Sequence, residues 1–117
     1  METMEVSKMI LSNTMDVIGY RVTESIGLVN GNIVQSKHVG RDIMAGLKTL
    51  IGGEIAGYTE MLSDARDMAV QRMIEDAKLK GANAIINIRF TTSAISQGMA
   101  EILVYGTAVV IEKVNNN

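Results

Sequence analysis

The chain of 117 residues has the length of one ordinary domain, and 11 basic against 13 acidic residues give it a net charge of −2. That balance argues against a nucleic-acid partner, because no segment concentrates lysine and arginine as a phosphate backbone requires. The sequence contains no cysteine, so it forms no disulfide and offers no thiolate as nucleophile or metal ligand.

The sequence predicts neither a membrane segment nor an export signal. No apolar run approaches the roughly 18 residues that span a bilayer. The N-terminal METMEVSK lacks the basic region and the long apolar stretch of a signal peptide. We therefore expect one cytoplasmic domain over residues 1–117, with an ordered core over about residues 8–112 and no membrane partner.

The apolar content is high for so short a chain. Hydrophobic residues make up 47% of it and 11 glycines add to that, whereas apolar residues with glycine usually make up roughly 45–50%. A small domain has too little interior for the excess. It favours a surface that is buried against other copies of the chain.

The N-terminal part predicts one long strand. Residues 8–12 have the composition of a short strand, and residues 14–19 of a turn. Over residues 21–35 apolar side chains recur at even positions, which is the period of a half-buried strand. Gly27 and Gly31 indicate a bulge or a bend within it.

A helical period begins at Arg41. Gly40 can serve as its N-cap, and Asp42 suits the positive end of the helix. A second apolar stripe runs from Tyr58 to Lys80, where Gly81 ends the helix. The first stripe consists of Ile43, Leu47, Leu50 and Ile51, which lie on one helical face.

Two glycines, Gly52 and Gly53, lie between these stripes and have two interpretations. Glycine supplies the positive φ or close approach that a break between two helices needs, so the pair can be a hinge. Alternatively, the free N–H groups that begin the second helix, near Tyr58 and Arg66, form an anion or small-ligand site with this loop. The residues leave both interpretations open.

Two strands complete the predicted order β-α-β-β. In residues 83–92 Ala84, Ile86, Ile88 and Phe90 alternate with polar side chains, so one face is predicted to be core. Residues 93–98 form the turn of a hairpin. Residues 101–112 are apolar on both faces, as in a central or interface strand. Because one helical layer covers only one face, the other face is expected to need a neighbouring subunit.

Six short motifs give the sequence a family likeness: RDI at 41–43, GG at 52–53, Tyr58, AR at 65–66, KGANAII at 80–86 and GTAVVIE at 106–112. Together they resemble the YbjQ-type proteins, which are small bacterial proteins described as heavy-metal-binding. The resemblance implies an α+β fold, a two-layer dodecin-like subunit with an antiparallel sheet packed on a long helix broken at a Gly-Gly. It also implies assembly as a ring, a homopentamer, and no known activity.

The heavy-metal description finds few suitable ligands in this sequence. Soft and borderline metals take clusters of thiolate, thioether or imidazole groups, and the chain has no cysteine and one histidine, His38. The nine methionines are scattered, and Met61 and Met73 lie on the apolar helix stripe, where methionine commonly fills the core. We predict no metal site, with His38 as the one weak candidate, and no cofactor.

The charged residues of the second helix predict a solvated face, because Glu60, Asp64 and Asp67 are interleaved with arginines. Arg66 differs, since it projects close to the apolar stripe. It either pairs with Asp42 or Glu54 or extends to solvent past its apolar stem.

No nucleophile–base pair and no phosphate loop is recognisable in the sequence, so an enzyme is not expected. We expect a non-enzymatic, homo-oligomeric binding or scaffold protein with a small-ligand or anion site between subunits. The alternative is a heavy-metal-binding or metal-stress protein that uses His38 and carboxylates. The predicted ligand-site residues are Arg41, Asp42, Gly52, Gly53, Tyr58 and Arg66.

Overall fold

The computed structural model describes residues 8–36, 57–96 and 98–115. Within these residues four strands form one sheet in the order β1-β3-β4-β2, and one helix packs on it, which confirms the predicted α+β class. The helix predicted from Arg41 and its break at Gly52 and Gly53 lie outside the described residues. The elements are β1 (Ile10–Leu11), β2 (Tyr20–Ser36), α1 (Tyr58–Leu79), β3 (Ala84–Ser96) and β4 (Met99–Lys113).

The sheet is mixed and not antiparallel throughout. β2 pairs with β4 and β3 with β4 in antiparallel fashion, but β1 pairs with β3 in parallel, with Ile10 opposite Ala84. The prediction of an antiparallel sheet is therefore wrong at this pair. A strand of two residues has no periodicity from which its direction could be predicted.

Helix α1 packs on β2 and β4 through a stripe of mostly small side chains. Ala65, Ala69 and Met73 are buried as the period predicted. The helix approaches β2 most closely at Gly31, where an added Cβ would overlap the Ala69 carbonyl oxygen and lie 2.7 Å from the Met73 nitrogen. The strand residues in this core include Val29, Ile33, Ile102, Val104 and Ala108.

A bulge in β3 divides its apolar side chains between the two faces of the sheet. Asn87 has φ 55° and the register with β4 shifts between Ile86 and Arg89. Asparagine is among the few residues that tolerate this left-handed conformation. Ile86 packs on the face away from α1, whereas Ile88 packs towards α1. The single inward face predicted for residues 84–90 is therefore wrong, because the bulge reverses the alternation.

A second, smaller core lies on the face of the sheet away from α1. Val17 and Tyr20, in and just after the connection from β1 to β2, pack against it, so this connection covers one end of that face. Asn83 fixes the neighbouring strands: its Nδ2 donates to the Ile111 carbonyl oxygen at 2.9 Å, and the Ile111 nitrogen donates to its Oδ1 at 2.7 Å. Its amide thus continues the ladder like a peptide group. The buried residues of this second core are Ala84, Ile86, Val109 and Ile111.

Candidate functional site

Two of the six predicted ligand-site residues lie within the described residues. Tyr58 is the first residue of α1, and Arg66 is exposed eight residues later, about 12 Å along the helix axis at 1.5 Å per residue. The exposure favours the interpretation in which Arg66 extends to solvent over one in which it forms a buried ion pair. Its role in a ligand site stays a prediction. Arg41, Asp42, Gly52 and Gly53 lie outside the described residues, as does His38.

The start of α1 is the described part of the region for which the anion site was predicted. Gly57 precedes the helix with φ 81° and ψ −11°, a left-handed conformation that glycine adopts without cost. Gly57 has no side chain with which to cap this end, and the Met61 N–H donates to the Gly57 carbonyl oxygen at 2.9 Å. The earlier N–H groups have no partner within the helix and attract negative charge.

An apolar groove lies between α1 and the β1–β3 side of the sheet. It arises because the helix rests on β2 and β4 and leaves β3 uncovered, so that Phe90 is 44% exposed. Its volume of about 420 Å³ falls in the range of small-molecule pockets. The sequence did not predict this groove, because it depends on where the helix crosses the sheet. The lining residues are Leu11, Ser12, Asn13, Val70, Met73, Ile88 and Phe90.

A second, more polar groove lies between α1 and the outer side of β2, with a volume of about 350 Å³. Arg72 lines it and donates from Nη1 to the Asn32 carbonyl oxygen at 3.0 Å. Asp67 and Glu75 also line it, and both are exposed, like the rest of the helical carboxylates that were predicted to form a solvated face. Within the described residues no three histidine, aspartate or glutamate side chains are grouped as a metal would require.

The face of the sheet away from α1 carries exposed apolar side chains beyond the second core. Leu28 is 65% and Val34 52% exposed, and Leu103 and Tyr105 of β4 on the same face are only half-buried. We call this region the open face, defined by these four residues and their neighbours Asn32 and Glu101. The Asn32 Nδ2 donates to Glu101 Oε2 at 2.9 Å. The prediction that β4 is a central strand is confirmed.

The outer half of β3 is exposed over residues 89–96, a run of eight residues. Arg89 anchors the start of this segment, since its Nη1 donates to the Asn13 and Ile88 carbonyl oxygens at 2.8 and 2.9 Å. The sequence did not predict that the partners of Arg89 would be backbone carbonyls. Among the described residues, no strand flanks this half of β3 on its outer side.

Comparison with known proteins places the sequence among small proteins of one family. Residues 9–112 match the YbjQ family model, described as "Putative heavy-metal-binding". A UPF0145 protein of Photobacterium profundum is 64% identical over 101 residues, which are 86% of this chain and 98% of that protein. A UPF0145 protein of Thermotoga maritima is 57% identical over 106 residues, which are 91% of this chain and all of that protein.

A solved structure supports the fold alone. The crystal structure of a protein of unknown function of the DUF74 family, from Pediococcus pentosaceus, matches with a TM-score of 0.60 at 17% identity. The match covers 89% of this chain and 98% of that one. In the described part of the chain, no helix is long and apolar enough to cross a membrane.

Proposed function

The chain belongs to the YbjQ family, and we propose that it is a non-enzymatic, homo-oligomeric binding or scaffold protein. The names of its UPF0145 relatives indicate no catalytic activity. In this proposal the subunits cover one another's open face. The supporting observation is that face itself, which combines exposed Leu28 and Val34 with half-buried Leu103 and Tyr105. Full burial of one such side chain contributes about 1.5–3 kcal/mol, so a few of them favour association.

A closed ring follows from the kind of contact that such a subunit can make. In the described part of the chain one helix covers one face of the sheet, and Val17 and Tyr20 cover one end of the opposite face. A contact repeated head to tail gives either a ring or an open filament. A filament leaves one contact surface uncovered at each end, whereas a ring covers every one. The number of five subunits rests on the family resemblance.

The ligand site of this proposal lies between subunits, at the start of α1. The N–H groups of the first turn, which have no partner within the helix, and the exposed Arg66 provide positive charge for an anion. Residues Arg41, Asp42, Gly52 and Gly53 complete the proposed site with Tyr58. A site built across a boundary between subunits binds only in the assembled protein, so ligand affinity should depend on the oligomer.

Paired leucine variants test the proposal. Leu28→Lys places a charge in the open face, where a subunit boundary would desolvate it without a partner. Leu79→Lys places the same charge on the last turn of α1, at a leucine that is 88% exposed. We expect Leu28→Lys to lower the mass measured by light scattering towards that of one chain, and Leu79→Lys to leave it unchanged. Equal masses for both variants would contradict the assignment of the open face.

Heavy-metal binding is the alternative, and the family description favours it. It would have to draw on His38 and on groups from several copies, since the described residues hold no suitable cluster. We expect no zinc, copper or cadmium binding tighter than about micromolar at neutral pH, because these metals need clustered thiolate or imidazole ligands, and the chain has no cysteine and one histidine. Isothermal titration calorimetry measures this. A stoichiometric, submicromolar isotherm that disappears in His38→Ala would establish the alternative.

A further inference from the structure

The outer half of β3 presents backbone groups that face away from β4. The Asn87 and Ile88 nitrogens still donate outward, to the carbonyl oxygens of Thr14 at 3.0 Å and Ser12 at 3.1 Å. Successive residues of a strand point their N–H and C=O groups to alternate sides. From Ile88 onward the outward residues are therefore Phe90, Thr92 and Ala94, which no strand of the described part flanks on that side.

The opposite edge of the sheet, on β2, presents outward backbone groups at its even-numbered residues from Leu28 onward, after the register shifts near its start. Phe90 is paired with Val104, and Val104 with Gly31. The backbone N–H and C=O groups of Phe90 point away from β4. Those of its partner Val104 therefore point towards β2, and those of Gly31 point back towards β4. The backbone N–H and C=O groups of the neighbouring Asn32 then point away from the sheet. An independent contact agrees, since Arg72 reaches the Asn32 carbonyl oxygen from the helix at 3.0 Å.

The strand residues of the two edges match in charge. Residues 28–36 of β2 and 90–96 of β3 contain no charged residue, and the chain has no proline. Proteins usually protect an unpaired edge with lysine, proline or a covering segment. Two neutral edges meet without the repulsion that like charges on paired strands cause.

We infer that the outer half of β3 in one copy pairs with β2 of the next copy, so that the sheet continues from subunit to subunit. This inference rests on the proposed homo-oligomer and specifies its contact. Two different edges make a head-to-tail contact, the kind that closes into a ring when the rotation between neighbouring copies is a whole fraction of a turn. β2 and β3 both run antiparallel to β4, so they run in the same direction. A rotation that relates neighbouring copies about an axis along the strands therefore places β3 of one copy parallel to β2 of the next. The Asn32 oxygen keeps a second lone pair for this pairing beside its bond to Arg72.

Cysteine variants test this contact, and a chain without cysteine suits them. Ser93 and Val34 are both paired with Glu101 and so lie on the same face of the sheet, on either side of β4. Within one copy two strand spacings separate them, about 10 Å, whereas a disulfide needs Cβ atoms about 4 Å apart. Ser93→Cys combined with Val34→Cys, or with Asn32→Cys to allow for a shift of register, can therefore link only different copies.

We expect mild oxidation to convert at least one double variant into linked multimers on a non-reducing gel, while each single variant stays unlinked. Linked dimers from Ser93→Cys alone would mean that β3 pairs with β3, which overturns the inference. Equal linking of Ser93→Cys with Ser63→Cys, on the exposed face of α1, would indicate random collision and also overturn it. Unlinked double variants in a protein that light scattering shows to be oligomeric overturn the edge contact but leave the proposed function intact. A monomeric protein overturns both.

A proline variant gives a second measurement. Thr92→Pro removes one outward N–H without removing a bond of the β3–β4 ladder, whereas Thr92→Ala keeps that N–H. We expect the subunit dissociation constant to rise at least tenfold in Thr92→Pro and to stay unchanged in Thr92→Ala, with the circular dichroism spectrum of both like that of the wild type. Equal dissociation constants for the two variants would overturn the inference.

Discussion

Replacement of Gly31 by alanine tests the packing of α1 on the sheet. The added Cβ would lie 2.7 Å from the Met73 nitrogen and 3.0 Å from the Arg72 Cβ, and ordinary contact begins at 3.4 Å. The helix must therefore retreat by about 0.7 Å at Met73 and further at Ala69, because backbone atoms cannot rotate away as a side chain can. A gap of 0.5–1 Å forfeits about a quarter to a half of each dispersion contact across it.

The expected cost follows from two opposing effects. Overpacking of a core costs about 1–3 kcal/mol, and a contact with helix backbone belongs at the upper end of that range. Alanine also lowers the conformational entropy of the unfolded chain, which offsets about 0.4–1 kcal/mol of this cost. We therefore expect Gly31→Ala to lower the free energy of unfolding by about 2–3 kcal/mol. For a chain of this size that lowers Tm by roughly 10 °C.

Urea unfolding measures this loss at one fixed protein concentration, since association shifts apparent stability. The midpoint should fall while the m-value stays unchanged. Ser63→Ala is the control, because Ser63 is exposed on α1, away from the proposed subunit contacts, and surface substitutions stay within about 0.5 kcal/mol. A loss below about 1 kcal/mol in Gly31→Ala would refute the close approach of α1 to β2.

Three further substitutions test single contacts by the same unfolding assay. Asn83→Ala removes both hydrogen bonds to Ile111, and we expect a loss of about 1–3 kcal/mol; no loss would mean that the amide does not hold the strands. Asn87→Val should cost about 1–2 kcal/mol and Asn87→Gly little, because φ is 55° at this position; equal stabilities would argue against the bulge. Arg66→Ala should cost less than about 1 kcal/mol, since Arg66 is exposed, and a loss of 3 kcal/mol or more would indicate a buried ion pair.

The sequence predicted those features that depend on local periodicity. The helix from Tyr58, its end at Gly81 and the bounds of β2 follow from spacing and from end signals, and the structure has them at nearly the predicted bounds. The apolar face predicted for β2 at even positions is wrong, because α1 packs on the odd positions: Val29 and Ile33 are buried, whereas Leu28 and Val34 are exposed. The features that it did not predict depend on contacts between distant residues. The direction of β1 and the reversal at Asn87 are set by pairing with other strands, which periodicity within a segment does not report.

The candidate site was predictable only in part for the same reason. The period suggested that Arg66 lies near the apolar stripe, but its exposure depends on where α1 crosses the sheet. The open face was anticipated from residues 101–112, which are apolar on both sides, because a single helix cannot cover two faces. The free edge of β3 was not anticipated, since which strand lies at an edge is decided by the strand order of the sheet.

The central claim is that the chain works as a closed assembly of identical subunits. Light scattering coupled to size exclusion tests it most directly on the unmodified protein at micromolar concentration. The claim predicts one homogeneous species of about five times the chain mass of 12.7 kDa, and a different closed number would correct only the count of subunits. A species with the mass of a single chain would contradict the claim.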